Sequence, residues 1–357
     1  MSAAARDAGL PDLLDLSLAG LEAWCEGQGA PRYRAAQVAR WLYRQGARDV
    51  AAMVNLPADL RAALAASFRI GSLAVARVRR SEDGTTKLLL ALPDGATIES
   101  VLIPDGRRLT LCVSTQVGCA MDCRFCATAT LGFRRHLARG QIVEQLLLAR
   151  AHLAAASDGP VPPVTNLVFM GMGEPLHNYA GTVGAVETLT AEWGVGVSPR
   201  RITVSTVGLV PEMERLLAET TVNLAVSLTA AEPGLRRELM PVSKRYPVDV
   251  LLAACRALPL PRRKRITFEY VMLAGVNDDP AQARALVRAL AGIRCKVNLI
   301  PYNPFPGGTF TRSADAAVAR FQDVLRAAGV HATVRESRGP DIAAACGQLV
   351  AETDAAP

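Results

Sequence analysis

One stretch limits what this chain can be more than any other. It is CAMDCRFC at 119–126, in which Cys119, Cys123 and Cys126 stand in the spacing C-x3-C-x2-C with no fourth cysteine beside them. A 4Fe–4S cluster takes four thiolates for full protein ligation, so three leave one iron for a distant ligand or for a small molecule. Zinc is the competing occupant, because it also binds Cys3His and His136 follows within reach in sequence. Three packed thiols are the plainer alternative, since free cysteine is a common core residue. Asp122 and Arg124 stand between the thiols and argue against an apolar turn.

The rest of the chain sets the context for that stretch. Its 357 residues suffice for one large domain and a small one. Half of them are hydrophobic, yet no uninterrupted apolar run reaches the roughly eighteen residues of a membrane span. The opening MSAAARDAGLPDLLDL lacks the basic region and continuous apolar stretch of a secretory signal, so a cytoplasmic setting is expected. Eight cysteines there read as reduced, metal-binding or catalytic thiols rather than a disulfide framework. Cys25, Cys255 and Cys295 are expected to pack. The net charge of +7 favours a polyanionic partner. Residues 1–72 are nearly balanced, with eight Arg against seven Asp or Glu. The excess lies later, at Arg77, Arg79 and Arg80, at Arg134, Arg135 and Arg139, and at Arg262–Arg265. Any one cluster reads as a solvated face; three together fit phosphate contacts.

Residues 10–70 carry helical periodicity broken by Gly-Ala-Pro and Asn-Leu-Pro, which predicts a small domain of three or four helices with Trp41 beside Val38 and Leu42. From 73 to 104 the period changes to that of an antiparallel ribbon with Asp-Gly turns. Six apolar strand candidates follow, at 109–115, 166–170, 201–206, 223–228, 266–272 and 296–300, with amphipathic helices such as 142–155 and 248–258 between them. Repeated β–α units require a parallel sheet with right-handed crossovers, and six of them predict a partial, open barrel. The expected division is therefore 1–72 helical domain, 73–104 ribbon connector, 105–338 core barrel and 339–357 C-terminal segment. Chemistry in such folds gathers past the strand ends. The cysteine stretch, Gly171 to Pro175, Ser205, Ser227 with Thr229, and Asn303 all fall there.

The C-x3-C-x2-C spacing is the signature of the radical S-adenosylmethionine (SAM) superfamily. CVSTQVGCAMDCRFCATATLGF at 112–133, NLVFMGMGEPLHN at 166–178, LIPYNPFPGG at 299–308 and GPDIAAACGQL at 339–349 narrow the likeness. From about residue 30 to about residue 352 the chain resembles the RlmN-type family, whose members methylate carbon 2 of adenine in 23S rRNA and in some tRNAs. A sister group, the Cfr-type enzymes, methylates carbon 8 of the same rRNA adenine and shares the catalytic residues.

The resemblance implies an α/β fold, a partial (β/α)6 radical SAM barrel with a small N-terminal helical RNA-contacting domain. It implies one 4Fe–4S cluster on Cys119, Cys123 and Cys126, with SAM on the open iron. SAM contacts carry over to Gly173, Glu174, Ser205, Ser227, Leu228, Thr229 and Asn303. Where the family usually has Ser-Leu-His this chain has Ser227-Leu228-Thr229, so a hydroxyl replaces a ring nitrogen. Cys346 becomes the methyl carrier, taking a methyl from one SAM before the radical from a second activates it. Cys112 becomes the thiol that releases the product by forming a transient disulfide with Cys346. Glu99 becomes the acceptor of the ring proton. By pattern alone Cys112 and Cys346 look like small packed residues, and Glu99 like an exposed strand glutamate. Gly339-Pro340 and Gly347 bracket Cys346 in a segment able to act as a lid. The implied partners are 23S rRNA and tRNA, with a reducing donor such as flavodoxin, for a monomer that needs no membrane. The target adenine has to be unstacked, with Phe133 and Tyr302 as unassigned aromatic candidates. A zinc-stabilised RNA-binding protein without catalysis is the alternative from another class.

Overall fold

The computed structural model describes residues 9–350; the opening residues 1–8 and the end of the expected C-terminal segment, 351–357, lie outside the described residues. The N-terminal part forms helices Leu18–Gly27, Arg34–Tyr43 and Ala58–Ser67. Ser17 caps the first, its Oγ accepting the Gly20 N–H at 3.1 Å, a group that has no partner inside the helix. The second buries Ala35, Val38, Ala39 and Leu42. Trp41 lies half-buried at the margin of that face and donates its ring N–H to Asn55 Oδ1 at 2.6 Å.

Strands β1 (Ala74–Arg80), β2 (Thr86–Ala91) and β3 (Thr97–Asp105) form the expected antiparallel ribbon. It is continuous with the main sheet, because β3 pairs antiparallel with β4 (Arg108–Cys112), Val101 opposite Cys112. A separate pair, β5 (Gln116–Gly118) and β6 (Phe133–His136), brackets the cysteine loop. The sheet then runs through β7 (Asn166–Phe169), β8 (Ile202–Thr206), β9 (Asn223–Ser227), β10 (Ile266–Met272), β11 (Cys295–Pro301) and β12 (Ala332–Val334). From β4 and β7 to β12 every neighbouring pair is parallel, with helices covering the sheet between strands. β10 is buried along nearly its whole length, which is why it reads as a nearly unbroken apolar run. Among the described residues β1 and β12 are the edges of the ten-stranded sheet, so the array is open, and β12 adds a parallel strand to the six expected.

Helix Arg139–Ala155 joins the parts. Asp15 Oδ1 accepts the Gly140 N–H at 2.7 Å at its start. Glu144, fully buried, accepts the Ser72 and Leu73 N–H groups at 2.8 and 3.0 Å and pairs with Arg48 at 2.6 Å. The next residue, Gln145, takes the Ser100 hydroxyl at 2.7 Å and the Ser114 N–H at 2.8 Å on its Oε1, fixing the chain where it leaves β4. Among the described residues no helix is long and apolar enough to cross a membrane.

Candidate active site

The carboxyl ends of the parallel strands open into one cleft that is continuous with solvent. Cys119, Cys123 and Cys126 line it together with Cys112 and Cys346, and so do Gly173, Glu174, Ser205, Ser227 and Asn303. The structure does not bring Glu99, Leu228 or Thr229 to the cleft wall.

The cysteine loop is held by its flanking strands. Gly118 has φ +73, and a Cβ there would lie 1.7 Å from the Gly132 carbonyl oxygen, so the crossing of β5 and β6 requires glycine. The Cys119 N–H then bonds Gly132 O at 3.0 Å, and the Arg124 N–H bonds Leu239 O at 3.1 Å. Burial pushes the thiol of Cys119 up to about 12 and that of Cys123 well above its ordinary value; Cys126 is raised for the same reason. His136, the residue that could complete a zinc site, stands outside the cleft: its Nδ1 is 3.0 Å from Gln116 Nε2 and its ring packs on Phe133 and His177.

Gly173 follows β7 with φ +98, and a Cβ there would lie 2.5 Å from that of Gln116. The constraint brings Glu174 to the cleft, where its carboxylate accepts the Leu176 N–H at 3.1 Å and the Val207 N–H at 2.9 Å. Burial raises that carboxyl to about 7 against the lowering effect of these donors. Beneath the loops after β8 and β9 lies Arg236, fully buried and missed in the sequence. Its guanidinium donates to Val207 O at 2.8 Å, Ser227 O and Leu228 O at 3.2 Å, and Ser243 Oγ at 2.6 Å. Burial lowers its pKa to about 10, with Cys123 opposing the fall. Leu228 and Thr229 are fully buried, and Thr229 takes φ +58 with its hydroxyl unpartnered.

The segment carrying Cys346 crosses the cleft and is tied at both sides. The Gly347 carbonyl accepts the Ala127 N–H at 2.7 Å, Leu349 O takes the Thr128 hydroxyl at 2.7 Å, and Cys346 O takes Asn303 Nδ2 at 3.0 Å. On the ribbon side Asp83 accepts the Gly339 N–H at 3.0 Å, Ser81 donates to Asp341 at 2.6 Å, and Lys87 Nζ donates to Ala343 O at 3.0 Å. Gly347 has φ +85, which the turn over the cysteine loop requires. Cys346 is itself exposed to the cleft. Glu99 proves buried rather than exposed: Oε1 pairs with Lys87 at 2.8 Å and Oε2 accepts the Val350 N–H at 3.0 Å. All eight cysteines are free, so Cys112 and Cys346 are not joined here, and Cys25 and Cys255 are buried as expected while Cys295 is half-buried.

Two further residues of the cleft went unread in the sequence. Glu269 on β10 is buried at 5% exposure, and Arg335 follows β12; both line the cleft wall with Cys112 and Cys346. Tyr302 also lines it, buried and with its hydroxyl unpartnered, whereas Phe133 is exposed on β6. The basic clusters are partly structural. Arg135 pairs with Asp94 at 2.7 Å, Arg139 with Glu187 at 3.0 Å, and Lys264 Nζ donates to Val222 O at 2.8 Å.

Comparison with known proteins matches residues 11–70 to the ribosomal RNA large subunit methyltransferase N-terminal domain and residues 113–286 to the radical SAM superfamily. The chain is 51% identical over 343 residues to a dual-specificity RNA methyltransferase RlmN of Anaeromyxobacter dehalogenans, covering 96% of this chain and 92% of that protein. It is 49% identical over 338 residues to the protein so named from Syntrophobacter fumaroxidans, covering 95% and 97%. The chain belongs to the RlmN family. A crystal structure of a radical SAM methyltransferase from Sphaerobacter thermophilus superposes with a TM-score of 0.90 at 48% identity, covering 96% of this chain and 100% of that one. The chain is thus a radical SAM RNA methyltransferase of the RlmN family, and the likeness, whose motifs begin near residue 30, extends through the first helix.

Members of this family use a 4Fe–4S cluster and SAM, and the residues present fit both. Three thiols that burial holds protonated need metal cations to become thiolates, and a coordinating thiol is deprotonated outright. Among the described residues no three His, Cys, Asp or Glu side chains are gathered closely enough for one ion, as a zinc site requires. Ligands spread over separate irons of a cluster need no such closeness.

Proposed function

We propose that this enzyme methylates carbon 2 of adenine in 23S rRNA and in tRNA, with the methyl carried on Cys346. The observation that supports this most is the meeting of Cys112 and Cys346 in the cleft that holds the cysteine trio, although they are 234 positions apart in sequence. Carbon 2 lies between two ring nitrogens and is electrophilic, so it does not attack a methyl sulfonium; a carrier sulfur answers that difficulty. When bound, the cluster and SAM supply the methyl group and the radical that activates it.

The protein residues do the rest. Cys119, Cys123 and Cys126 hold the cluster. Gly173, Glu174, Ser205, Ser227 and Asn303 form the SAM contacts, with Leu228 and Thr229 supporting them from beneath the cleft wall. Cys346, open to the cleft, accepts the methyl as a thioether and presents it to the base. Glu99 takes the ring proton; its Oε2 is held by the Val350 N–H here, so movement of the carrier segment frees it. Cys112 then attacks the Cys346 sulfur, and the transient disulfide releases the methylated RNA. The helical domain and the basic surface bind RNA with the target adenine flipped out. A flavodoxin-type donor reduces the cluster, and the enzyme works as a cytoplasmic monomer.

Mass spectrometry of nucleosides, after incubating rRNA or tRNA with SAM and a reductant, tests this. 2-Methyladenosine is the expected product; 8-methyladenosine would assign the Cfr-type reaction, and neither would defeat the proposal. Cys346→Ala should abolish turnover, and Cys112→Ala should leave RNA attached to protein.

A further inference from the structure

Cys112 has a chemical difficulty of its own. It must react as a thiolate, because the thiol is a poor nucleophile. It ends an apolar strand, 7% exposed, and burial pushes its thiol up to about 12, with Cys346 adding to the rise. The charge opposing that rise belongs to Arg335. Met170 stands between the two on the cleft wall: its Sδ takes the Arg335 guanidinium at 3.5 Å, and the next residue, Gly171, donates its N–H to the carbonyl of Val113, the neighbour of Cys112, at 3.1 Å. Among the described residues Arg335 makes no ion pair, an unusual state for an arginine lining a cleft. Burial works against its charge, but Cys346, Glu269 and Cys112 outweigh it and hold the guanidinium above its ordinary value.

Glu269 lines the same wall, two strands from β12. It is aligned by a short chain of bonds in which the Thr333 hydroxyl donates to Asn298 Oδ1 at 2.7 Å and Asn298 Nδ2 donates to Glu269 Oε1 at 3.0 Å. Its other oxygen, Oε2, is buried and has no partner. A buried carboxylate oxygen left without a donor is costly unless some state of the protein fills it. The guanidinium is the cationic donor lining the same wall.

We propose that Arg335 is a positioning residue that supplies the countercharge for the Cys112 thiolate, and that Glu269 Oε2 receives the guanidinium once that thiolate is spent. In the resolving step Cys112 gives up its proton to water, and its sulfur lone pair forms the bond to Cys346. The bond from the Cys346 sulfur to the one-carbon group breaks, and its electron pair stays with the carbon, which takes up a proton. Both sulfurs are oxidised to the disulfide as the carbon is reduced. The anionic charge beside Arg335 disappears in this step, and the guanidinium turns to Glu269.

The inference rests on the resolving role proposed above for Cys112, and its test needs no turnover. Cluster-loaded Cys346→Ala protein is treated anaerobically with iodoacetamide across a pH series, and the modified Cys112 peptide is quantified by mass spectrometry. Arg335→Met should slow alkylation about tenfold at neutral pH, moving the profile up by about one unit, the least expected from an adjacent opposite charge. Arg335→Lys should stay within about threefold of the parent, because the charge is kept. Glu269→Gln keeps an oxygen for Asn298 but removes the competing anion, so it should speed alkylation. A variant that merely loosens the fold exposes Cys112 and speeds it in every case. An unmoved rate in Arg335→Met, a lysine variant no better than methionine, or a slower Glu269→Gln overturns the proposal. Normal yield of free methylated RNA from Cys112→Ala would instead defeat the resolving role itself, whatever Arg335 does.

Discussion

Arg236→Met is the substitution whose consequences the structure specifies most fully. The side chain is 0% exposed, and its pKa of about 10 against an ordinary 12.5 means that burial disfavours the charge. At 1.36 kcal/mol per unit that penalty is about 3 kcal/mol. Four hydrogen bonds oppose it, to Val207 O, Ser227 O, Leu228 O and Ser243 Oγ. Bonds from a charged donor contribute roughly 1.5–3 kcal/mol each, so together they exceed the penalty. Methionine fills a similar volume but leaves three carbonyls and a hydroxyl without their donor. The expected net cost is about 3–5 kcal/mol, of the size found when a buried charged network loses one member. The loops after β8 and β9 should loosen with it, so SAM affinity should fall along with the urea midpoint. Arg236→Lys should lie between, because one ammonium cannot reach four acceptors in a fork. Urea unfolding followed by circular dichroism and equilibrium dialysis with SAM measure the two effects. A methionine variant with the parent's midpoint and the parent's SAM affinity would refute the reasoning.

Three other outcomes are expected. Burial raises the carboxyl of Glu144 despite Arg48, so its penalty is absent below the unfolded value near 4.5 and complete above the raised folded value. Glu144→Gln should therefore be better tolerated at pH 8 than at pH 5 relative to the parent, and unfolding at the two pH values checks the sign. Gly173→Ala places a methyl group 2.5 Å from the Gln116 Cβ at φ +98, which should cost about 1–3 kcal/mol and weaken SAM binding measurably by dialysis. His136→Ala should leave iron and sulfide content at the parent level while Cys123→Ala loses both; equal losses would restore histidine as a ligand.

Much of this site could be read from the sequence because its parts are local. The cysteine spacing is contiguous, β10 lies where an unbroken apolar run predicted it at 266–272, and Gly173 marks a forced turn. What escaped depends on contacts between distant segments. β12 has three residues and exists because Val297 and Leu299 pair with Ala332 and Val334, a signal too short to separate from a loop. Arg236 sits in Leu-Arg-Arg-Glu-Leu, which looks like an exposed helical turn. Glu269 did leave a trace, as a lone carboxylate in the centre of Ile-Thr-Phe-Glu-Tyr-Val-Met, where burial is otherwise the rule. Glu99 left the same trace, and a charged residue within an apolar strand outweighs the presumption that strand glutamates face water.

The ties between Ser81, Asp83, Lys87 and Glu99 and the segment from Gly339 to Val350 join chain regions about 250 residues apart. During synthesis the ribbon leaves the ribosome long before its partner exists, and contacts of such sequence separation form late. Cys346 is thus set over the cleft only after the segment that follows the barrel strands has been made. A nascent chain that already holds its barrel still lacks the segment that crosses the cleft.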